Sequence, residues 1–317
     1  MTTVDRHTIT AAATRIAGYV RRTPLLRLPG AHLGVACAEL WLKLEHLQLS
    51  GSFKARGMFN RMLSLQPLPA AGVIVASGGN AGIAVATAAQ ALGVRCEVFI
   101  PEIASPAKRQ ALVRLGAQVV VGGAAYADAL AACLQRQRET GALLMHAYDQ
   151  PEVVAGAGTL AAEIEAQSQD TGLPDQVLVS VGGGGLVSGV AAWFDSRTRV
   201  VALESTGTPT LHAARAAGEP VDVAVGGLAA DALGARRIGN IAWPICQQHV
   251  HDARLVSDDA IFAAQRTLWR ELRLAVEPAG ALPLAALQTG AVKPLPSERV
   301  ALVLCGANFD PSVLAGP

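Results

Sequence analysis

The sequence predicts an α/β protein made of two open, mostly parallel sheets. Its 317 residues suffice for about two domains of roughly 150 residues each. Hydrophobic residues make up 51% and charged residues 16%, enough apolar surface to build a large core and too little charge for a disordered chain. The hydrophobicity is cut into short β-branched runs that alternate with Ala-rich stretches, the rhythm of parallel strands covered by helices on both faces.

The elements follow in order. Ala-rich stretches read as helices over Thr8–Val20 and Ala55–Leu65, with a strand over Trp41–Leu44 between them. Three β-branched runs come next, Val73–Ala76, Glu97–Ile100 and Gln118–Val121, each followed by a helical stretch: Ala81–Leu92, Ser105–Leu115 and Tyr126–Glu139. A long helix over Val153–Gln167 leads to a strand at Val177–Ser180, a helix at Gly185–Phe194 and a strand at Val200–Leu203. Helices at Pro209–Ala216, Asp258–Leu272 and Pro278–Gln288 precede a last strand at Val300–Leu304. No Pro/Ser-rich linker divides the chain, so two domains are expected to be interleaved.

Composition removes several classes of function. A net charge of +1 without a Lys/Arg stripe argues against a nucleic-acid partner, and 4% aromatic residues argue against base-stacking surfaces. Gly, Pro, Arg or Asp breaks every apolar run well before the roughly 18 residues of a membrane span. Met1 to Arg6 show no signal-peptide core, which predicts a cytoplasmic protein. Cys37, Cys96, Cys133, Cys246 and Cys305 are widely spaced and contain no CxxC, so neither disulfides nor a zinc site is expected. His249, His251 and Asp252 have no third ligand motif and read as surface.

Chemistry in such sheets collects where a strand ends and a helix begins, because free N–H groups and the helix dipole attract anions there. Val181-Gly182-Gly183-Gly184-Gly185-Leu186 is such a junction. Four side-chain-free residues let several N–H groups converge on a phosphate, or they make a tight turn. Ser77-Gly78-Gly79-Asn80-Ala81-Gly82 is a second, suited to a carboxylate or phosphate, or capped by Ser77 or Asn80. Lys54, in Ser50-Gly51-Ser52-Phe53-Lys54, opens a helix, where the positive helix end lowers an amine pKa and favours nucleophile or base. Glu204 ends a strand before Ser205-Thr206-Gly207-Thr208 and reads as a helix cap on its own.

Taken in this order, Ser-Gly-Ser-Phe-Lys, Ser-Gly-Gly-Asn-Ala-Gly and the four-glycine loop resemble the fold-type II pyridoxal-phosphate enzymes, and most closely the L-serine/L-threonine dehydratases among them. Arg22-Thr23-Pro24-Leu25, Glu277-Pro278-Ala279-Gly280-Ala281 and Leu304-Cys305-Gly306-Ala307-Asn308 resemble further motifs of that family, so the likeness runs from residue 22 to residue 308. It implies a tryptophan synthase β-subunit-like fold, with a large domain of residues 1–65 and 148–317 and a small α/β domain inserted at 66–147. It implies pyridoxal 5′-phosphate as cofactor, bound as a Schiff base to Lys54, and a homodimer.

The resemblance also implies roles. Lys54 anchors the cofactor and, once freed, removes the substrate Cα proton. Phe53 forms a pocket wall, Gly182 to Gly185 hold the phosphate, Asn80 bonds the pyridine 3′-oxygen, and Cys305 faces the ring nitrogen. Ser77, with the N–H groups of Gly78, Gly79, Asn80 and Ala81, grips the substrate carboxylate. A thiol at the ring nitrogen cannot keep it protonated, which favours prompt loss of a β-leaving group over transamination. Racemases of the family carry a serine at the place of Gly78 and a histidine at that of Ala81, so elimination is expected over racemisation. Glu204 and Thr208 are expected to hold a monovalent cation such as K+, an oxygen-only site suited to a hard ion. The expected activity is therefore an ammonia-lyase of amino-acid metabolism, acting on L-serine or L-threonine. A β-replacement synthase, an amino-acid racemase and a non-catalytic binding protein of the same fold are the alternatives.

Overall fold

In a computed structural model of the chain, which describes residues 4–314, ten strands and twelve α-helices form two sheets. The helices are α1 (Arg6–Ile16), α2 (Lys54–Ser64), α3 (Asn80–Leu92), α4 (Pro106–Arg114), α5 (Tyr126–Thr140), α6 (Pro151–Ala166), α7 (Gly185–Phe194), α8 (Thr210–Ala217), α9 (Ala230–Leu233), α10 (Ala242–His249), α11 (Asp258–Leu272) and α12 (Pro278–Gln288). The strands are β1 (Leu25–Pro29), β2 (Glu39–Lys43), β3 (Val73–Ala76), β4 (Cys96–Ile100), β5 (Gln118–Val121), β6 (Leu143–Leu144), β7 (Gln176–Ser180), β8 (Arg199–Ser205), β9 (Val250–Val256) and β10 (Arg299–Val303).

The α/β fold of mostly parallel sheets stands as the sequence indicated. The larger sheet runs β1-β2-β10-β7-β8-β9 and the smaller β5-β4-β3-β6. All pairings are parallel except β1 with β2. The central strands are continuous apolar runs because helices cover both faces; Leu40, Trp41, Leu42, Val177, Leu178, Val179 and Val300 to Val303 are almost wholly buried. Five elements were not expected. Arg27 and Pro29 interrupt β1, β6 is two residues long, and Pro244 interrupts the apolar pattern of α10. α9 is a single turn. β9 is an edge strand whose exposed His251 and half-buried Asp252 hide the strand pattern.

Topology puts the chemistry at two places. In the smaller sheet, β4 and β5 lie on one side of β3 and β6 on the other, so the order reverses at β3. In the larger sheet, β8 and β9 lie on one side of β7 and β10 on the other. A crevice opens at the carboxyl ends of strands at such switch points. Ser77–Ala81 follows β3, the four glycines follow β7, and Cys305 follows β10. All five cysteines are free and buried, and no helix among the described residues is long and apolar enough to cross a membrane.

Candidate functional site

The lysine turn is stitched to the end of β10. The Phe53 N–H donates to the Cys305 carbonyl (3.0 Å), the Ala307 N–H to the Gly51 carbonyl (2.8 Å), and Ser52 pairs with Gly306. Gly51 has φ +71°, and a Cβ there would lie 2.5 Å from the Asn308 side-chain oxygen, so the turn needs glycine. Lys54 then begins α2 with its Nζ donating to the Ala147 carbonyl at 2.7 Å and standing 4.9 Å from the Phe53 ring centre. Burial lowers its pKa to about 8, while Cys305 and Glu277 pull the other way. Desolvation, more than the helix end that the sequence points to, makes this amine available as a base.

A buried ion network holds α2 from below. The Arg56 guanidinium donates to both oxygens of Glu45 (2.7 and 2.8 Å) and both of Glu163 (2.7 and 2.8 Å). The Lys43 ammonium donates to Glu163 (2.6 Å), to the Thr23 carbonyl (2.8 Å) and to Gln167 (2.9 Å). The Thr23 hydroxyl donates to Glu45. Thr23 of the Arg22-Thr23-Pro24-Leu25 motif therefore braces the lysine helix through Glu45 and Lys43. Nothing in the sequence pairs these residues, since they lie up to 124 positions apart.

The glycine loop fits a phosphate. Among the described residues, the N–H groups of Gly182 to Gly185 donate to no backbone or side-chain acceptor, and Gly184 has φ +86° at the N-cap of α7. A Cβ on Gly184 would lie 2.5 Å from Ile238, and one on Gly183 would overlap the Tyr148 ring. Tyr148, unnoticed in the sequence, also lines the small space of about 10 Å³ around Lys54, Phe53 and Gly185. His146 orients that segment by accepting the Asp149 N–H (2.9 Å) and the Tyr148 N–H (3.3 Å).

Both loops hang on one seam of helices. A Cβ at Gly57 of α2 would lie 2.7 Å from the Val153 carbonyl of α6, and one at Gly156 of α6 would lie 2.6 Å from the Arg56 carbonyl. Between α6 and α7, a Cβ at Gly158 would lie 2.8 Å from the Gly189 carbonyl, and one at Gly189 2.5 Å from the Val154 carbonyl. The backbones of α2, α6 and α7 thus touch directly.

The Ser77–Ala81 loop leads into α3, whose N-cap is Gly79 and which carries no side-chain cap. Its Gly78, Asn80 and Ala81 N–H groups have no acceptor among the described residues, and Ser77 Oγ accepts only a long bond from the Gly79 N–H (3.4 Å). The Gly78 Cβ direction faces Ile100, 3.1 Å away, and Ala104. The Asn80 side chain is engaged within the chain. Its Nδ2 donates to Glu277 Oε1 (2.8 Å) and Oε2 (3.0 Å), and its Oδ1 accepts from Asn308 Nδ2 (2.7 Å). Burial raises the Glu277 pKa to about 7, against the lowering effect of the Asn80 bond. A larger cavity of about 570 Å³ borders Glu277 and Asn308, with Asp231, Phe262 and Phe309 among its other walls. Lys108 of α4 pairs with Asp231 of α9 beside the Gly79 loop.

Cys305 is buried beside Lys54 and Glu277, and burial holds its thiol protonated, far above the ordinary range. Glu204 is joined to the glycine loop through the Thr210 hydroxyl, which also bonds the Gly182 carbonyl (2.6 Å). Its carboxylate accepts the Leu211 N–H (2.7 Å), the His212 N–H (2.8 Å) and the Thr210 hydroxyl (3.0 Å), capping α8. Burial raises its pKa to about 7. The buried Thr208 hydroxyl bonds Ser205 Oγ at 3.2 Å.

A buried amine of lowered pKa, a cradle of unpaired N–H groups and a protonated thiol fit a carbonyl cofactor bearing a phosphate. The profile of the family described as "Pyridoxal-phosphate dependent enzyme" matches residues 16–306. The chain is 38% identical over 309 residues to the L-threonine ammonia-lyase of Geobacter sulfurreducens, covering 95% of this chain and 75% of that one. It spans about half (53%) of the biosynthetic L-threonine dehydratases of Haemophilus influenzae and Escherichia coli. Among solved structures, a threonine deaminase of T.th. superposes with a TM-score of 0.89 at 37% identity, covering 96% of this chain and 99% of that one. Maize serine racemase superposes with a TM-score of 0.91 at 31% identity, covering 99% and 96%. The match over nearly the whole chain and the site it encloses agree: this chain belongs to the pyridoxal-phosphate-dependent enzymes of fold type II, in the serine/threonine dehydratase group.

Proposed function

We propose that the chain catalyses β-elimination of water from L-serine or L-threonine. The resulting enamine tautomerises to an imine, which takes up water to give pyruvate or 2-oxobutanoate and ammonia. The chemistry supplied by bound pyridoxal phosphate is an electron sink for the Cα carbanion. Lys54 takes the Cα proton on Nζ; a pKa of about 8 leaves part of the amine neutral at neutral pH. The free N–H groups of Gly78, Asn80 and Ala81 orient the substrate carboxylate, together with Ser77. Gly182 to Gly185 would hold the phosphate of the cofactor, Phe53 would wall the pocket, and the Cys305 thiol, kept neutral, would stand at the ring nitrogen.

Gly78 carries this reading. A racemase needs a second acid/base on the face opposite Lys54. Gly78 has no side chain to supply it, and its Cβ direction meets the apolar Ile100 and Ala104. The likeness to serine racemases supports racemisation as the second reading. Incubation with L-serine and L-threonine, followed by chiral chromatography, tests the choice: keto acid and ammonia with no D-serine are expected, and substantial D-serine would reverse it. The reading extends to a monovalent cation held by oxygens of Glu204 and Thr208. Its support is that both are fully buried, although the Glu204 carboxylate already caps α8. It extends as well to a homodimer, which sedimentation tests.

A further inference from the structure

We propose that Glu277 is a positioning residue that clamps the Asn80 amide in one orientation and thereby governs how tightly the cofactor is held. The inference rests on the reading that Asn80 faces the cofactor ring.

A carboxamide has two chemically opposite edges of nearly the same shape, so a lone Asn can present either. Here each edge is assigned. The Nδ2 edge faces both carboxylate oxygens of Glu277, and the Oδ1 edge receives Asn308 Nδ2. With Glu277 ionised, turning the amide over would set Oδ1 against the carboxylate and Nδ2 against the Asn308 donor, two repulsive contacts in a buried place. The clamp is itself fixed. Asn308 Nδ2 also donates to the Ser50 carbonyl (2.9 Å), in the turn that leads to Lys54. The Glu277 N–H donates to the Gly306 carbonyl (2.9 Å), and a Cβ on Gly306 would overlap the Glu277 carboxylate. Four motifs, from Ser50, Asn80, Glu277 and Asn308, thus meet in one hydrogen-bonded chain.

Glu277 is 4% exposed and, among the described residues, has no cationic hydrogen-bond partner. The charged or titratable groups that act on it are Lys54 and Asp231, and Cys305 lies close by. An NH2 group carries two hydrogens; one can stay on the carboxylate while the other turns to a ligand oxygen. The carboxylate therefore ensures that Asn80 presents a donor to the site.

The test is a double-mutant cycle read as the Kd for pyridoxal phosphate, by absorbance titration of the apo protein, in E277A, E277Q, N80A and E277A/N80A. E277A and N80A should each weaken binding by about tenfold, the scale of one lost buried hydrogen bond. The double variant should be no weaker than N80A alone, because Glu277 acts through Asn80. E277Q, whose Oε1 still accepts, should stay within about threefold of the unmodified protein. Additive losses in the double variant would overturn the clamp, as would E277A at unmodified affinity or E277Q as weak as E277A. N80A at unmodified affinity would remove Asn80 from the cofactor and the clamp with it, whereas the proposed reaction is judged separately by keto-acid release. If E277A fails to fold by circular dichroism, E277D, which withdraws the carboxylate by one methylene, takes its place in the same cycle.

Discussion

Two carboxylates lie buried on either side of the lysine turn, and they are treated in opposite ways. Glu45 faces the Arg56 guanidinium, with Lys43 near, and these cations hold its pKa below the ordinary value despite complete burial. Glu277 faces neutral amides, and burial raises its pKa to about 7. The same chemical group is thus fully compensated where it braces a helix and left short of charge where it lies beside Asn80 and Lys54. Removing a buried charge's partner is costly, so the braced site is expected to govern stability. The under-compensated site is expected to govern function, as perturbed groups near reacting atoms commonly do.

The largest effect should fall on the functional side. Lys54→Ala should cut ammonia release by at least about 10²–10⁴-fold, the scale of a positioned base, and abolish the visible absorbance of the loaded enzyme. Its melting temperature should change little, and a collapse of stability would blur the contrast. The reciprocal variant, Arg56→Ala, strands Glu45 and part of Glu163. It should cost about 3–5 kcal/mol in urea unfolding, the scale of a broken buried pair. If the protein tolerates it at unmodified stability, the network does not brace α2.

Gly184→Val should be intermediate. The residue has φ +86° and a Cβ would press on Ile238, so the variant should purify largely free of cofactor while still folding. Binding as tight as in the unmodified protein would place the phosphate elsewhere. A smaller effect concerns pH. Glu277 keeps its proton in the folded protein up to about pH 7, whereas unfolded it loses the proton near its ordinary 4.5. Apo-protein stability should therefore fall as pH rises from about 4.5 to 7, and E277Q should remove this share. Glu204, raised to about 7 in the same way, leaves a residual fall of the same sign. Glu45 acts oppositely: its contribution is present above the ordinary carboxylate value and lost as pH falls through its lowered one. Urea midpoints at pH 5 and 8 check the slopes. The smallest effect expected is on potassium: activity should rise with K+, and Glu204→Ala should flatten the rise.

What was legible in the sequence depended on local signals. The helices at Gly185–Phe194, Asp258–Leu272 and Pro278–Gln288 match residue for residue, because a glycine turn, the Ser257 cap and Pro278 mark their starts. β9 and α10 escaped because edge exposure and an internal proline override the periodic pattern. At the site, Lys54 and the two loops stand out through glycine, which only a turn or a close approach demands. The partnerships do not. Asn80 and Glu277 are 197 positions apart, and each looks like an ordinary cap or motif residue until the fold joins them. Tyr148 carries no local mark, since its importance comes from lying against Gly183.

The direct contact of α2, α6 and α7 through Gly57, Gly156, Gly158 and Gly189 has a consequence for how such an enzyme can diversify. Lys54 begins one of these helices, and the four glycines lead into another. At these four positions the interval between Lys54 and the glycine loop is gauged chiefly by main chain on main chain, with the Val153 and Ile9 side chains flanking the contacts. Substitutions at Gly78, Ala81, Tyr148 or Asp231 can then reshape what is admitted to the site while the gauge keeps its setting. Substrate range is free to drift at the loops, and a change at any of the four seam glycines would unsettle every such chemistry at once.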